Sequence, residues 1–286
     1  MSTDAPVALV TGASRGAGRG IARALGSHGC KVYVTGRSIS RSETKNGTIQ
    51  ATADEVTAAG GRGIAVQCDH GDGEAVAALF AQIEHDEGRL DILVNNACAI
   101  QDALTEPGTF WEKPISLGRM IDVGVKSSYE ASWHAAQIMV RQGSGLIAFT
   151  SAPGAVHYCL GPAYGAHKAG LDKLAADMAV DLDGTGVSAV SIWMGALATE
   201  RLLGMIEADP VKYGHLADAL ETPDFTGHAI WALFNDPELK QLSGQAVIGA
   251  EMATRYGFTD ANGKIPSSAR DTHKVAPREN YKIIVR

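Results

Sequence analysis

Short apolar runs alternate with longer segments whose apolar residues recur at helical spacing. Val7 to Thr11, Lys31 to Thr35, Gly63 to Gln67, Asp91 to Asn95, Leu146 to Thr150, Ser188 to Trp193 and Gln245 to Ile248 read as strands. Ala17 to Gly26, Ile49 to Ala59, a segment capped by Asp72 and running to about Glu87, Ser116 to Arg141, and Ala163 to Leu182 read as helices. Thr222-Pro223 opens a further helix, with Thr as cap and Pro in the first turn. The strands are nearly continuous apolar runs, as expected where both faces of a sheet are covered. This alternation predicts an α/β fold with one doubly wound parallel sheet of about seven strands and helices on both faces.

No linker separates two halves, so residues 1–256 read as one domain. Two segments break the rhythm. Ser38 to Thr48 is a polar insertion after the second strand, and Gly257 to Arg286 reads as an extension lying on the surface or reaching a partner.

Composition narrows the class. The 286 residues are 45% hydrophobic, enough for a sizeable core, and the 25 basic against 32 acidic residues give a net charge of −7. That balance argues against a nucleic-acid partner. The 33 glycines exceed the usual share of roughly 7% but follow no three-residue period, which excludes a collagen-like chain. No apolar run reaches the ~18 residues of a membrane span. Met1 to Pro6 lacks the basic and apolar regions of a signal peptide. Cys30, Cys68, Cys98 and Cys159 form no C-x-x-C pair and suit reduced thiols in a cytoplasmic protein. The His and Asp residues show no metal-ligand spacing.

The chemistry begins where the first strand ends. Thr11-Gly12-Ala13-Ser14-Arg15-Gly16-Ala17-Gly18 leads directly into a helix. Glycines at 12, 16 and 18 let backbone turn tightly and approach a pyrophosphate, while the helix N-terminus offers free N–H groups to that anion. The second strand ends Thr35-Gly36-Arg37 with no acid to hold a ribose hydroxyl. Arg37, with Arg15 in the loop, instead suits a 2′-phosphate, so NADP(H) is preferred and NAD(H) remains possible.

Tyr164 and Lys168 stand four apart on one helix face. A free tyrosine ionises near pH ~10, and a neighbouring ammonium is expected to lower that value. Thirteen residues upstream, Ser151 ends the fifth strand, at the ligand-binding edge of such a sheet, where a hydroxyl could hold a carbonyl oxygen.

Together these pieces resemble a short-chain dehydrogenase/reductase of the classical type, a Rossmann-type fold. Cys68-Asp69 after the third strand, Asn95-Asn96-Ala97 after the fourth and Thr199 after the sixth also match, in the family's order, over about residues 5–250. The resemblance implies that Tyr164 is the general acid/base, that Lys168 lowers its pKa and binds the nicotinamide ribose, and that Ser151 orients the carbonyl. It also implies a cofactor held by Gly12, Ser14, Arg15, Gly16, Ala17, Gly18 and Arg37. Asp69 falls near the adenine, Asn95 and Ala97 along the adenosine side, and Thr199 near the carboxamide. The reaction implied is hydride transfer between a carbonyl compound and its alcohol, in a homodimer or homotetramer. A catalytically weak nucleotide-binding protein is the alternative.

Three departures stand out. Cys98 replaces the family's usual glycine, and Met194-Gly195 replaces Pro-Gly. Gly124 stands where the long helix usually carries an asparagine that joins the lysine to a water chain. Its carbonyl is expected to hold that water instead. Gly124, with Asp172 to Asp177 and the stretch Ser243 to Gly257, is similar to a narrower mammalian and bacterial group that reduces varied ketones. Residues 196–225, where the family places a mobile lid, carry Leu202, Leu203, Met205, Ile206 and Tyr213 and favour an apolar substrate. His157 and Tyr158 could face the pocket, and His167 falls on another face of the Tyr164 helix.

Overall fold

A computed structural model describes residues 5–39, 47–280 and 283–285. Most of the polar insertion after the second strand therefore lies outside the described residues, as does the extreme N-terminus.

The strands are β1 (Val7–Val10), β2 (Lys31–Gly36), β3 (Arg62–Gln67), β4 (Ile92–Asn95), β5 (Gly145–Ser151), β6 (Val187–Trp193) and β7 (Ala246–Ile248). They form one parallel sheet in the order β3-β2-β1-β4-β5-β6-β7. The order reverses between β1 and β4, which opens a crevice at the carboxyl edge where such sheets bind ligands. Every residue of β1, β4, β5 and β6 is buried, consistent with their unbroken apolar runs.

The helices are α1 (Gly16–Ser27), α2 (Ile49–Ala58), α3 (Gly73–Glu87), α4 (Ser127–Gln142), α5 (Pro162–Asp181), α6 (Glu200–Ala208), α7 (Pro210–Tyr213), α8 (Pro223–Phe234), α9 (Leu239–Leu242), α10 (Gly249–Tyr256) and α11 (Ala269–Thr272). One face of the sheet packs Val10, Val34 and Ile192 against Ile21, Leu25 and Ile230. The other packs Leu9, Leu93 and Phe149 against Phe80, Ile138 and Leu171. Asp72 caps α3 by accepting from Glu74 and Ala75 N–H, as expected.

Two expectations change. The long helix over Ser116 to Arg141 is split into a 3₁₀ turn (Ile115–Gly118), a π-helical segment (Ile121–Lys126) and α4. Thr222 precedes α8 but makes no side-chain cap: its hydroxyl and N–H both donate to Asp260. The late segment folds back on the body. Ala269 is buried with Ala155, Trp193 and Ile248, and His273 stacks on His157 at 5.6 Å. Among the described residues, no helix is long and apolar enough to cross a membrane.

Candidate active site

The glycine loop is built by backbone and tied to β4. Thr11 Oγ1 donates to the Val94 carbonyl and accepts from the N–H groups of Asn96 and Ala97, both at 2.9 Å. Asn96 Nδ2 donates to the carbonyls of Thr11 and Gly12. Gly12 adopts φ +65°, and a Cβ there would fall 2.8 Å from Ala97 Cα. Only glycine meets both conditions at this turn. Asn96 is thus a structural member of the site that sequence reasoning passed over; its place in the Asn-Asn pair was the signal.

The α1 N-terminus already receives an anion. Gly16 N–H donates to Glu200 Oε2 at 3.2 Å, and Glu200 Oε1 lies 3.2 Å from the Arg19 guanidinium. A carboxylate at this spot shows that the Gly16 N–H is not used by the helix itself and suits negative charge. Thr199, the cap of α6, brings its methyl group to 3.6 Å from where a Gly16 side chain would begin. Arg15 and Arg37 are exposed and have no carboxylate partner among the described residues. Ser14 and Ala17 are half-buried, and a Cβ at Gly47 would strike the Ser14 carbonyl at 2.3 Å. These residues, with Gly18 and Ala97, converge at one edge and fit a dinucleotide.

Two further predicted residues have partners within the protein. Asn95 is buried and donates from Nδ2 to Ser132 Oγ at 2.9 Å, while its Oδ1 has no partner among the described residues. It faces α4 rather than the loop. Asp69 closes its own turn by accepting from Gly71 N–H at 3.0 Å. Beside it, buried His70 lies 2.8 Å from Thr35 Oγ1, and burial holds its pKa down at about 4. No sequence signal marked His70.

Ser151, Tyr164 and Lys168 meet at the carboxyl end of β5. Ser151 is 0% exposed and donates to the Lys168 carbonyl at 3.1 Å. Lys168 Nζ lies 5.7 Å from the Tyr164 ring centre and donates to the Thr150 carbonyl at 2.8 Å. A Cβ at Gly154 would fall 2.5 Å from Tyr164 Cε1, so the 153–155 turn holds the ring closely. The expected lowering of the Tyr164 pKa is not what this arrangement yields. Burial pushes the phenol up, and Cys159 and Cys98 add to it. The Lys168 ammonium is engaged by a carbonyl, and burial pushes its own pKa down. Asp172, one turn beyond Lys168, accepts from Ser191 Oγ and Trp193 Nε1 and is pushed up by burial.

The Gly124 carbonyl accepts from Ser128 Oγ at 2.5 Å, which takes one of its two lone pairs. The side-chain space at Gly124 is filled by the His167 ring, whose Nε2 and Cδ2 lie 2.5 Å from an ideal Cβ.

The apolar groove beside Tyr164 comes from an unexpected place. Leu104, Leu117 and Met120, after β4, pack on Cys98, Ala163 and Tyr164. A cavity of about 170 Å³ opens there, lined by Leu104, Phe110, Ile115, Leu117, Tyr158 and Leu160. The expected apolar stretch in α6 buries no residue. Tyr158 is 83% exposed on the groove rim, whereas His157 Nδ1 bonds the Pro153 carbonyl. A larger cavity of about 520 Å³, at the opposite edge near Ser144, Gly186 and Lys240, holds none of these residues.

Residues 6–207 match the short chain dehydrogenase family model. The chain is 40% identical over 269 residues to human dehydrogenase/reductase SDR family member 1, covering 90% of this chain and 84% of that protein. It is 30% identical over 242 residues to a 3-oxoacyl-[acyl-carrier-protein] reductase of Synechocystis, covering 84% and 94%. A putative dehydrogenase from Xanthomonas campestris superposes with a TM-score of 0.78 at 25% identity, covering 93% and 98%. The fold, the carboxyl-edge crevice and these likenesses define a Rossmann-like dehydrogenase/reductase. The chain belongs to the short-chain dehydrogenase/reductase family and is an oxidoreductase acting on CH–OH and C=O groups.

Proposed function

We propose that the protein interconverts an apolar carbonyl compound and its alcohol with NADP(H), using Tyr164 as general acid/base. The carrying observation is the meeting of Ser151, Tyr164 and Lys168 at the sheet edge that also bears the glycine loop. When bound, the dinucleotide supplies or takes up the hydride. Gly12, Gly16 and Gly18 let backbone N–H groups reach its phosphates, and Arg15 and Arg37 offer guanidinium groups to a 2′-phosphate. Tyr164 gives its phenolic proton to the carbonyl oxygen during reduction and takes it back from the alcohol. Ser151 exchanges its bond to the Lys168 carbonyl for one to the substrate oxygen. Lys168 keeps positive charge near the phenol. The Phe110, Ile115 and Leu160 groove favours a substrate with an apolar body. On the family resemblance, we read the assembly as a cytoplasmic homodimer or homotetramer.

NADPH consumption across ketones of increasing apolar length tests this. The expected outcome is turnover that rises with length and falls by about a hundredfold or more in Tyr164→Phe. Activity indifferent to that change would sink the mechanism. Arg37→Ala is expected to weaken NADPH but not NADH, read by tryptophan fluorescence; equal affinity of the wild type for both would remove the role of Arg37.

A further inference from the structure

The groove beside Tyr164 carries a single charge. Leu104 and Leu117 pack on Tyr164, and both line the groove together with Phe110, Ile115 and Leu160. Among the described residues, Lys113 is the one charged group in that lining. Lys113 is half-buried, and its ammonium donates to the Leu104 carbonyl at 3.0 Å. The charge is therefore pinned to a groove-lining residue rather than swinging freely into water.

An ammonium has three donors. One goes to the Leu104 carbonyl, and no carboxylate among the described residues takes either of the others. The acids of the same segment are turned elsewhere. Asp102 pairs with Arg201 at 2.9 Å, and Glu112 accepts from the Thr109 N–H and hydroxyl. Glu106 is exposed and lines no part of the groove. A lysine beside apolar surface ordinarily lays down its stem and keeps its head in water. Here the head is held at the apolar wall with donors unspent, an arrangement that an anionic group on an apolar ligand completes.

We propose that the groove takes an open-chain oxo acid, an apolar carbonyl compound ending in a carboxylate, and that Lys113 receives this carboxylate. The assignment rests on the reaction proposed above and names its substrate class. The chain lies along Phe110, Ile115 and Leu160, with its carbonyl at Tyr164 and its carboxylate on Lys113. In reduction the carbonyl carbon gains the hydride of NADPH and the oxygen gains the Tyr164 proton, which solvent then replaces. The products are the hydroxy acid and NADP⁺, and the carboxylate is unchanged. A cavity of about 170 Å³ lies below the roughly 300 Å³ at which drug-sized sites begin, which favours a single chain over a fused-ring body. Two anchored ends also select one chain length, whereas an apolar wall alone rewards every added methylene.

The first test compares kcat/KM with NADPH for methyl-ketone oxo acids of increasing length and for their methyl esters. At one length the acid is expected to be preferred over its ester by about tenfold or more, as for a hydrogen bond to a charged group. Lys113→Gln keeps a donor for the Leu104 carbonyl but no charge, and is expected to abolish the preference, mainly through KM. Lys113→Arg is expected to retain it. Esters turned over as well as acids at every length overturn the proposal, as does a preference that survives Lys113→Gln.

The second test needs no turnover. Octanoate and octanamide, which have no ketone to reduce, are titrated by calorimetry into the protein preloaded with NADP⁺. Octanoate is expected to bind about tenfold more tightly than octanamide, and Lys113→Gln is expected to remove that advantage. Equal affinities in the wild type, or an advantage that Lys113→Gln leaves intact, overturn the carboxylate site. Octanoate binding that depends on Lys113, with no turnover of any acid or ester, supports the carboxylate site and overturns the reaction proposed for Tyr164 instead.

Discussion

The two sides of the carboxyl-edge crevice are built from different materials. The glycine-loop side is backbone pinned by two side chains: Thr11 Oγ1 and Asn96 Nδ2 hold it by main-chain partners, and Gly12 is required by its φ angle and close approach. The Tyr164 side is a cluster of buried side chains whose protons and charges depend on one another. Backbone sites constrain the residue at each position almost alone. Side-chain clusters constrain combinations, so one member can change if a neighbour changes with it. The departures from the family's pattern at Cys98 and Gly124 accordingly lie on the Tyr164 side.

Two glycines offer the sharpest break of this comparison. Gly12→Val forces a side chain onto the Ala97 backbone at a positive φ, and dinucleotide affinity is expected to fall by about a hundredfold or more, equivalent to ~2.7 kcal/mol. Gly165→Ala, inside the Tyr164 turn, places its methyl no closer than 3.6 Å to the Gly154 carbonyl. It is expected to leave affinity unchanged and to raise the melting temperature slightly, since Ala exceeds Gly in a helix by up to ~1 kcal/mol. Fluorescence titration and calorimetry check both; a harmless Gly12→Val would remove the distinction.

The next effect concerns the base of the 196–225 segment. Glu221 accepts from Gly195 N–H, and its backbone pairs with Ala196 and Ala198. Burial raises its pKa from 4.5 to about 7. The folded state therefore holds this proton more tightly than the unfolded chain. The contribution is fully favourable below pH ~4.5, declines as pH rises toward about 7, and is lost above it, on the order of 3 kcal/mol. Glu221→Gln is expected to flatten the fall in melting temperature between these limits and to be the more stable form at pH ~8. An unchanged pH slope would contradict the assignment.

The smallest effect is expected at Glu200, whose carboxylate sits on Gly16 N–H where a phosphate would bind. Glu200→Gln removes that competing charge and is expected to tighten NADPH binding about twofold to fivefold, a range typical of exposed charge pairs. The gain should shrink with added salt; weaker binding would mean that Glu200 assists the cofactor.

Much of this was legible in the chain. Continuous apolar strands and helical spacing gave the parallel sheet because burial on both faces leaves no other pattern. The loop glycines, Ser151, Tyr164 and Lys168 were legible because fixed offsets place them at strand ends or on one helix face. Which member of the Asn95-Asn96 pair ties the loop was not legible, because alternate residues leaving a strand face opposite ways: Asn96 donates to the loop carbonyls and Asn95 to Ser132. The Ser116–Arg141 helix hid its π segment, because apolar spacing does not report an extra residue in a turn.

The sequence by itself determined the family, the sheet, the edge that carries the glycine loop and the positions of Ser151, Tyr164 and Lys168. Those follow from local geometry, which spacing encodes. Only the tertiary structure decided that Cys98, Gly124 and His167 are one cluster, that Glu200 rests on the Gly16 N–H and that the apolar groove is shared by residues 104–118 and 158–163. Each depends on which side chain fills a volume shared by distant segments, and close packing settles that only when the whole chain is folded.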